Sequence, residues 1–221
     1  MTTQKRKQLL PVTITDNRVL CEGVHYISMD KPFHFKPGQV VALALNQEDE
    51  PRLYSIASGK DNPLLSILFD VKPDGELTPP LSKIKKSDTV YVSEPFGKFL
   101  CQSSPATWIA TGTGIAPFLS LVESGQKENI TLLHGARTLD KFYFQETFSK
   151  VLKGNYIRFC TSESDGTTKA GRLTSYLEKS ESLPKDNKYY LCGSPQMVID
   201  VREILISKGI PFDNIIAEIY F

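Results

Sequence analysis

The chain has 221 residues, enough for one or two domains, and its 40% hydrophobic content with a formal net charge of +1 excludes a disordered chain. This charge balance argues against nucleic acid as the main partner, because phosphate binding needs a large basic excess. No apolar run reaches the roughly 18 residues of a membrane helix, and the N-terminus lacks the apolar region of a signal peptide. We therefore expect a cytoplasmic protein with no membrane or nucleic-acid partner.

The first hundred residues contain short β-rich runs separated by turn residues, without long helical patterns. Six such runs predict a small antiparallel barrel. The predicted strands are Gln8–Ile14, Arg18–Met29, Gln39–Leu45, Leu53–Ala57, Leu64–Val71 and Thr89–Ser93, and a short helix is predicted over Pro80–Ile84.

The pattern changes near Ser103-Ser104-Pro105, after which strand-like runs alternate with helical ones. Such alternation predicts a mostly parallel sheet with helices on both faces, so the chain divides into a barrel over residues 1–102 and an α/β domain over 103–221. The predicted strands are Trp108–Thr111, Ile130–His134, Tyr156–Thr161, Tyr189–Cys192 and Ile215–Ile219. The predicted helices are Ala116–Glu123, Asp140–Leu152, Gly171–Lys179 and Pro195–Lys208.

The four cysteines, Cys21, Cys101, Cys160 and Cys192, are far apart in the sequence. Structural zinc and ferredoxin-type iron–sulfur sites use clustered thiolates, so we predict no metal site. If the protein handles electrons, it uses an organic cofactor.

Two motifs in the barrel half suggest phosphate binding. In Arg52-Leu53-Tyr54-Ser55 an arginine fork suited to phosphate is followed by an aromatic face and a hydroxyl. In the segment from Pro73 to Thr78, Gly75 permits an unusual backbone conformation, and Thr78 is placed to cap a helix whose free N–H groups would bind phosphate. The alternatives are a solvated arginine, a barrel-core tyrosine and an ordinary turn.

Three further motifs lie in the second half. The run from Thr111 to Pro117, T-G-T-G-I-A-P, follows a strand and opens a helix, so Gly112 and Gly114 would let a pyrophosphate approach the backbone. Cys192 begins C-G-S-P at the carboxyl end of a strand, the edge where open α/β sheets hold ligands. The chain ends in E-I-Y-F. The alternatives are a plain strand–helix turn, a small buried cysteine and aromatic rings that complete the sheet core.

The order of these five motifs resembles that of the ferredoxin–NADP reductase family over nearly the whole chain. The ending is most similar to the bacterial flavodoxin/ferredoxin reductase branch, with Phe221 where that branch commonly has Trp. The resemblance implies an antiparallel β-barrel that binds FAD, followed by an α/β parallel-sheet domain that binds NAD(P).

The resemblance also implies a role for each motif residue. Arg52 would hold the FAD pyrophosphate, Tyr54 would pack on the isoalloxazine and Ser55 would lie near flavin N5. The catalytic set would be Ser55, Cys192 and Glu218, the last two beside the reacting nicotinamide and flavin. The other implied cofactor-binding residues are Leu53, Phe69, Glu76, Leu77 and Thr78 for FAD, Thr113 on the flavin side, Gly112 and Gly114 for the NAD(P)H pyrophosphate, Tyr220 against the isoalloxazine, and Phe221 nearer the adenine.

The nicotinamide preference depends on cations for a 2′-phosphate. Arg137 and Arg172 match basic positions of the NADP-binding branch, and Lys169 is a further cation that would help to bind the phosphate. Glu163 and Asp165, by contrast, would repel a phosphate. The balance favours NADPH over NADH.

The expected function is that of an oxidoreductase that takes a hydride from NAD(P)H onto FAD and passes electrons to ferredoxin, flavodoxin or a small-molecule acceptor, as a monomer. One alternative is a reductase that uses free flavin as substrate. Another is a flavin-binding electron-transfer subunit of a larger complex.

Overall fold

The computed structural model describes residues 8–102 and 104–218, which form two six-stranded sheets. The first sheet is antiparallel and has the strand order β4-β3-β6-β1-β2-β5. After β4, Ala57 N donates to Ser66 O on β5 at 2.8 Å, which closes the sheet into a barrel. The strands are β1 Leu9–Cys21, β2 Val24–Asp30, β3 Val40–Ala44, β4 Arg52–Ser55, β5 Leu64–Asp70 and β6 Thr89–Ser93.

The barrel interior is filled by apolar side chains spaced two residues apart along the strands, as the strand period requires. Ile27 and Met29 on β2 and Leu65, Ile67 and Phe69 on β5 belong to one buried cluster. The four-residue helix α1 (Thr78–Leu81) adds Leu81 to the same cluster.

The second sheet is parallel and has the order β10-β9-β8-β7-β11-β12. Its strands are β7 Ala106–Thr111, β8 Ile130–Ala136, β9 Tyr156–Cys160, β10 Lys169–Ala170, β11 Lys188–Cys192 and β12 Ile215–Glu218. The helices are α2 Ala116–Glu123, α3 Gln145–Leu152, α4 Leu173–Lys179 and α5 Pro195–Ser207. The buried residues of α2 and α3 join one apolar cluster and those of α4 and α5 another, so helices cover both faces of the sheet.

One apolar cluster spans both halves of the molecule. Phe99, from the segment after the last barrel strand, packs edge-on against Phe118 of α2 and Tyr190 of β11, with ring centroids 5.7 Å and 5.6 Å away. Tyr26 and Leu68 of the barrel belong to the same cluster. The two domains therefore share part of one hydrophobic core.

Several element bounds differ from the prediction, and the two-residue strand β10 was not predicted. The strand predicted over Arg18–Met29 is interrupted at Glu22 and Gly23, where Gly23 has a φ of +73° and β1 turns into β2. The helix predicted from Asp140 begins at Gln145, because Phe144 has a φ of +58°, which a right-handed helix cannot contain. The helix predicted over Pro80–Ile84 is α1, which begins two residues earlier, at Thr78, and ends three residues earlier, at Leu81.

The last barrel strand ends at Ser93 and the first parallel strand begins at Ala106, so the predicted boundary between residues 102 and 103 falls in the connection. Ser103 lies outside the described residues, as do Ile219, Tyr220 and Phe221.

Candidate active site

A cavity of about 1130 Å³ lies between the barrel and the carboxyl ends of the parallel strands. Most of the site residues predicted from the sequence line it together, although they come from both domains. They are Arg52, Leu53, Tyr54, Ser55, Phe69, Glu76, Leu77, Thr78, Gly112, Thr113, Gly114, Arg137, Arg172 and Cys192. Glu218 reaches the site through its contact with Ser55.

The barrel wall of the cavity is built by β4 and β5. Tyr54 packs edge-on against Phe69, with ring centroids 6.2 Å apart, and Phe69 also stacks on His25 at 5.3 Å. Burial raises the pKa of Tyr54 to about 12, against a small opposing effect of Arg52. Tyr54 is therefore a neutral ring held in place by its contact with Phe69. Arg52, by contrast, is exposed.

The turn before α1 is held differently from the prediction. Thr78 is the first residue of α1, and no side chain caps the helix at Leu77. The Thr78 hydroxyl instead accepts from Lys72 N at 2.8 Å and so closes the turn. Gly75 has no positive φ, but a Cβ there would lie 3.2 Å from Lys72 O, so the glycine serves close packing.

The T-G-T-G turn packs against the C-G-S-P loop through glycines. A Cβ on Gly114 would lie 2.3 Å from Cys192 O, and one on Gly193 would lie 2.3 Å from Thr111 Oγ1. Gly112, with a φ of +55°, has nothing within 4 Å of its Cβ position and faces open space. The turn therefore presents bare backbone to the cavity, as a pyrophosphate site requires.

Glu218 lies beside two residues of the cavity wall, Cys192 and Ser55. Cys192 and Glu218 are paired residues of the neighbouring strands β11 and β12. Ser55 Oγ donates to Glu218 Oε2 at 3.4 Å, which joins the barrel to the α/β domain. Burial, together with the Glu218 carboxylate, raises the pKa of the Cys192 thiol well above its usual range, so Cys192 is a neutral thiol.

Arg137, which follows β8, and Arg172, the N-cap of α4, are exposed and line the cavity. Lys169 instead lies over the Tyr176 ring, 4.5 Å from its centroid.

The two acids that were expected to repel a phosphate each bind a nearby group of the protein. Glu163 accepts from Leu139 N at 2.7 Å, and Asp165 pairs with Arg158 at 3.0 Å. Hydrogen bonds from Thr167 are the main reason why the pKa of Asp165 lies below its usual range.

Several lining residues were missed by sequence reasoning. Lys141 and Tyr143 line the cavity from the segment that was predicted as helix, and Lys141 Nζ lies 3.1 Å from Cys21 Sγ. Thr111 belongs to the T-G-T-G motif, but its close contact with Gly193 joins two loops that are distant in the sequence. Gln196, Met197 and Asp200 line the cavity from the start of α5, for which the C-G-S-P motif was the available signal.

Within residues 8–102 and 104–218, no group of three or more His, Cys, Asp or Glu side chains is arranged to hold a metal ion. No helix in the described part of the chain is long and apolar enough to cross a membrane.

Residues 108–203 match the family model of the oxidoreductase NAD-binding domain. A flavodoxin/ferredoxin–NADP reductase of Escherichia coli (strain K12) is 33% identical over 193 residues, which are 76% of this chain and 77% of that protein. The chain belongs to the ferredoxin–NADP reductase family. The predicted family and fold class are thereby confirmed.

Two further proteins are similar to this chain, one in fold and one in sequence. A ferredoxin–NADP⁺ reductase from Neisseria gonorrhoeae, solved with bound FAD and NADP, shares the fold with a TM-score of 0.87 at 19% identity, covering 96% of this chain and 99% of that one. A probable dihydroorotate dehydrogenase B electron transfer subunit from Methanopyrus kandleri is 26% identical, covering 91% of this chain and 76% of that protein.

Proposed function

We propose that this protein is an FAD-dependent reductase that passes reducing equivalents from NADPH to a separate electron carrier, ferredoxin or flavodoxin. The observation that carries the proposal is the convergence of the R-L-Y-S strand, the T-G-T-G turn and the Cys192–Glu218 pair on one cavity between the two domains. A cytoplasmic location and a monomeric state belong to the same proposal.

The cavity suits FAD in its chemistry. Arg52 offers a planar donor fork for the pyrophosphate, the neutral Tyr54 ring offers a face for the isoalloxazine, and the turn over residues 76–78 offers backbone groups for phosphate. Leu53 and Phe69 complete the apolar wall. Tyr220 and Phe221 are proposed to cover the isoalloxazine and the adenine. Bound there, FAD would supply the redox chemistry, since no protein side chain can accept a hydride.

The roles of Ser55, Cys192 and Glu218 follow from their charge and contacts. A neutral thiol at Cys192 lets an uncharged nicotinamide ring pack against it without desolvating an ion. Glu218 Oε2 accepts a hydrogen bond from Ser55 Oγ, which fixes the Ser55 and Glu218 side chains at the ends of their strands. These residues align the reacting rings, and alignment is the main contribution a protein makes to such a transfer.

The preference for NADPH is proposed from two exposed guanidinium groups. Arg137 and Arg172 both line the cavity, and guanidinium forks bind phosphate in bidentate fashion. The acids near them, Glu163 and Asp165, are held by local hydrogen bonds. The 2′-phosphate of NADPH would thus meet two cations, and the charge of Asp165 is offset by its ion pair with Arg158.

The test is purification followed by steady-state assay with NADPH and NADH, using ferricyanide and then ferredoxin or flavodoxin as acceptor. We expect a yellow protein after gel filtration, turnover that favours NADPH, and elution at the mass of one chain. A colourless protein that is active only with added flavin would instead support the free-flavin reductase. The M. kandleri relative favours a second candidate, an electron-transfer subunit. Rapid turnover of the isolated chain with ferricyanide would reject that candidate.

A further inference from the structure

The two domains also meet outside the cavity lining, through polar groups of residues 58–60 and 120–124, which we call the polar junction. Its three hydrogen bonds all cross from the barrel to α2 and the residue after it. They are Ser120 Oγ to Ser58 O at 2.7 Å, Gly59 N to Glu123 Oε2 at 2.8 Å, and Lys60 N to Ser124 Oγ at 2.9 Å.

The inner part of the polar junction is fully buried. Ser58 and Ser120 have no exposed surface. Ser58 Oγ accepts from Ser66 N at 3.0 Å, and Ser66 Oγ lies 2.8 Å from Ser28 Oγ, so the hydrogen-bonded chain continues into the barrel wall. A buried hydroxyl group is costly when its partner is lost, so the bond from Ser120 Oγ to Ser58 O penalises arrangements of the two domains that break it.

Both sides of the polar junction lead directly to the candidate active site. Residues 58–60 follow β4, whose last residue is Ser55 in the cavity wall. Residues 120–124 end α2, which begins immediately after the T-G-T-G turn. The helix has eight residues and is therefore about 12 Å long. The segment that follows the R-L-Y-S strand is therefore hydrogen-bonded to the end of the helix that follows the T-G-T-G turn.

Apolar packing alone fixes the relative position of the two domains less closely than these hydrogen bonds do. The burial that stabilises the shared core around Phe99 and Phe118 has no preferred direction, whereas hydrogen bonds weaken steeply with angle. The contact at Gly59 is also closed to side chains, since a Cβ there would lie 2.8 Å from Glu123 Cβ.

We propose that Ser120 and Glu123 are positioning residues for hydride transfer, because the polar junction sets the placement of the R-L-Y-S strand relative to the T-G-T-G turn. The proposal rests on the proposed function. Neither residue contacts the cavity, so each acts through the elements it joins. A misplacement of about 1 Å in reacting groups lowers a rate by about 100-fold, so a small rotation of one domain is sufficient to matter.

The test compares Ser120→Ala, which removes the donor, and Glu123→Ala, which removes the acceptor, with two controls. Glu123→Gln keeps an acceptor oxygen in place. Ser93→Ala removes another buried hydroxyl, one that accepts from Ala42 N and donates to Glu94 O within the barrel alone. Each FAD-loaded protein is examined by hydrogen–deuterium exchange, thermal unfolding and stopped-flow reduction with NADPH.

We expect the limiting rate of flavin reduction to fall about tenfold or more in Ser120→Ala and Glu123→Ala, with the dissociation constant for NADPH changed less than about twofold. Glu123→Gln should stay near wild type, and Ser93→Ala should lower the melting temperature without changing the reduction rate. The amides of Gly59 and Lys60 should exchange faster in Glu123→Ala, a readout that needs no turnover.

Reduction rates in Ser120→Ala and Glu123→Ala equal to that of Ser93→Ala would overturn the proposal, as would unchanged exchange at residues 59 and 60. If the wild-type protein is not reduced by NADPH or NADH, the proposed function fails. The exchange data would then still report on whether the polar junction holds the domains together.

Discussion

Arg52 is the residue on which FAD retention should depend most directly. It is exposed on β4 at the cavity, and its guanidinium has the geometry for two phosphate oxygens. Arg52→Ala should weaken FAD binding by about 1.5–3 kcal/mol, the range for hydrogen bonds to charged groups. The measurement is a flavin fluorescence titration of the apoprotein. Arg18→Ala is the control, since Arg18 lies over the Tyr26 ring of the barrel and should leave FAD binding unchanged. Equal FAD affinity in both variants would remove the assignment.

Cys192 should affect the rate of flavin reduction more than cofactor binding. Cys192→Ser keeps the size of the side chain but places a more polar group in a buried position beside Glu218. We expect slower reduction by NADPH in stopped-flow measurements, with FAD content preserved. Cys160→Ser is a matched control, because Cys160 is equally buried, at 2% exposure, on β9. Wild-type kinetics in Cys192→Ser would make this cysteine an ordinary packing residue.

His134 should make the stability of the protein depend on pH. It is fully buried on β8, and burial, followed by the nearby Arg158, lowers its pKa to about 3. The unfolded chain takes up the proton near pH 6.5, so stability should fall as pH decreases from about 6.5 towards 3, by up to about 1.4 kcal/mol per pH unit. Urea unfolding of wild type and His134→Gln at pH 7 and pH 5 measures this. An equal loss of stability in both proteins would contradict the prediction.

At the scale of elements, the loop after β8 and the start of α4 are expected to set the nicotinamide preference. Changing both Arg137 and Arg172 to Ala should raise KM for NADPH and leave KM for NADH nearly unchanged. The difference should shrink at high salt, because exposed charges are screened. Lys169→Ala is the control, since Lys169 lies over Tyr176. An equal loss with both nucleotides would mean that the arginines serve the shared part of the ligand.

The order of the elements was predictable because each domain has a regular pattern of apolar residues. In the barrel strands apolar residues recur every two positions, and in the second domain strand patterns alternate with helix patterns. The bounds of α2 agree with the prediction to the residue. The start of α3 was not predictable, because the left-handed backbone at Phe144 has no local signal such as glycine. Within the site, motif residues could be named in advance. Lys141, Tyr143 and the polar junction depend on contacts between the two domains, which a linear pattern does not contain.

For the whole molecule, the shared core predicts one cooperative unfolding transition rather than two. Phe99 and Tyr26 of the barrel half pack in the same cluster as Trp108 and Phe118, so neither domain is complete alone. Fluorescence of Trp108, the single tryptophan, reports on the α/β domain, and release of FAD reports on the barrel. We expect both signals to change at the same temperature. Transitions separated by more than a few degrees would contradict this prediction.

The shared cluster around Phe99 also bears on how such reductases recombine. A chimera that joins this barrel to the nucleotide domain of a relative at residue 102 would place foreign side chains against Phe99, whose ring lies between Phe118 and Tyr190. An alignment of motifs would show no defect in this chimera, because each parent contributes all the motifs of its own domain. The hybrid would nonetheless have a mismatched core, so exchange of cofactor specificity in this fold should succeed by grafting the outer loops rather than by swapping whole domains.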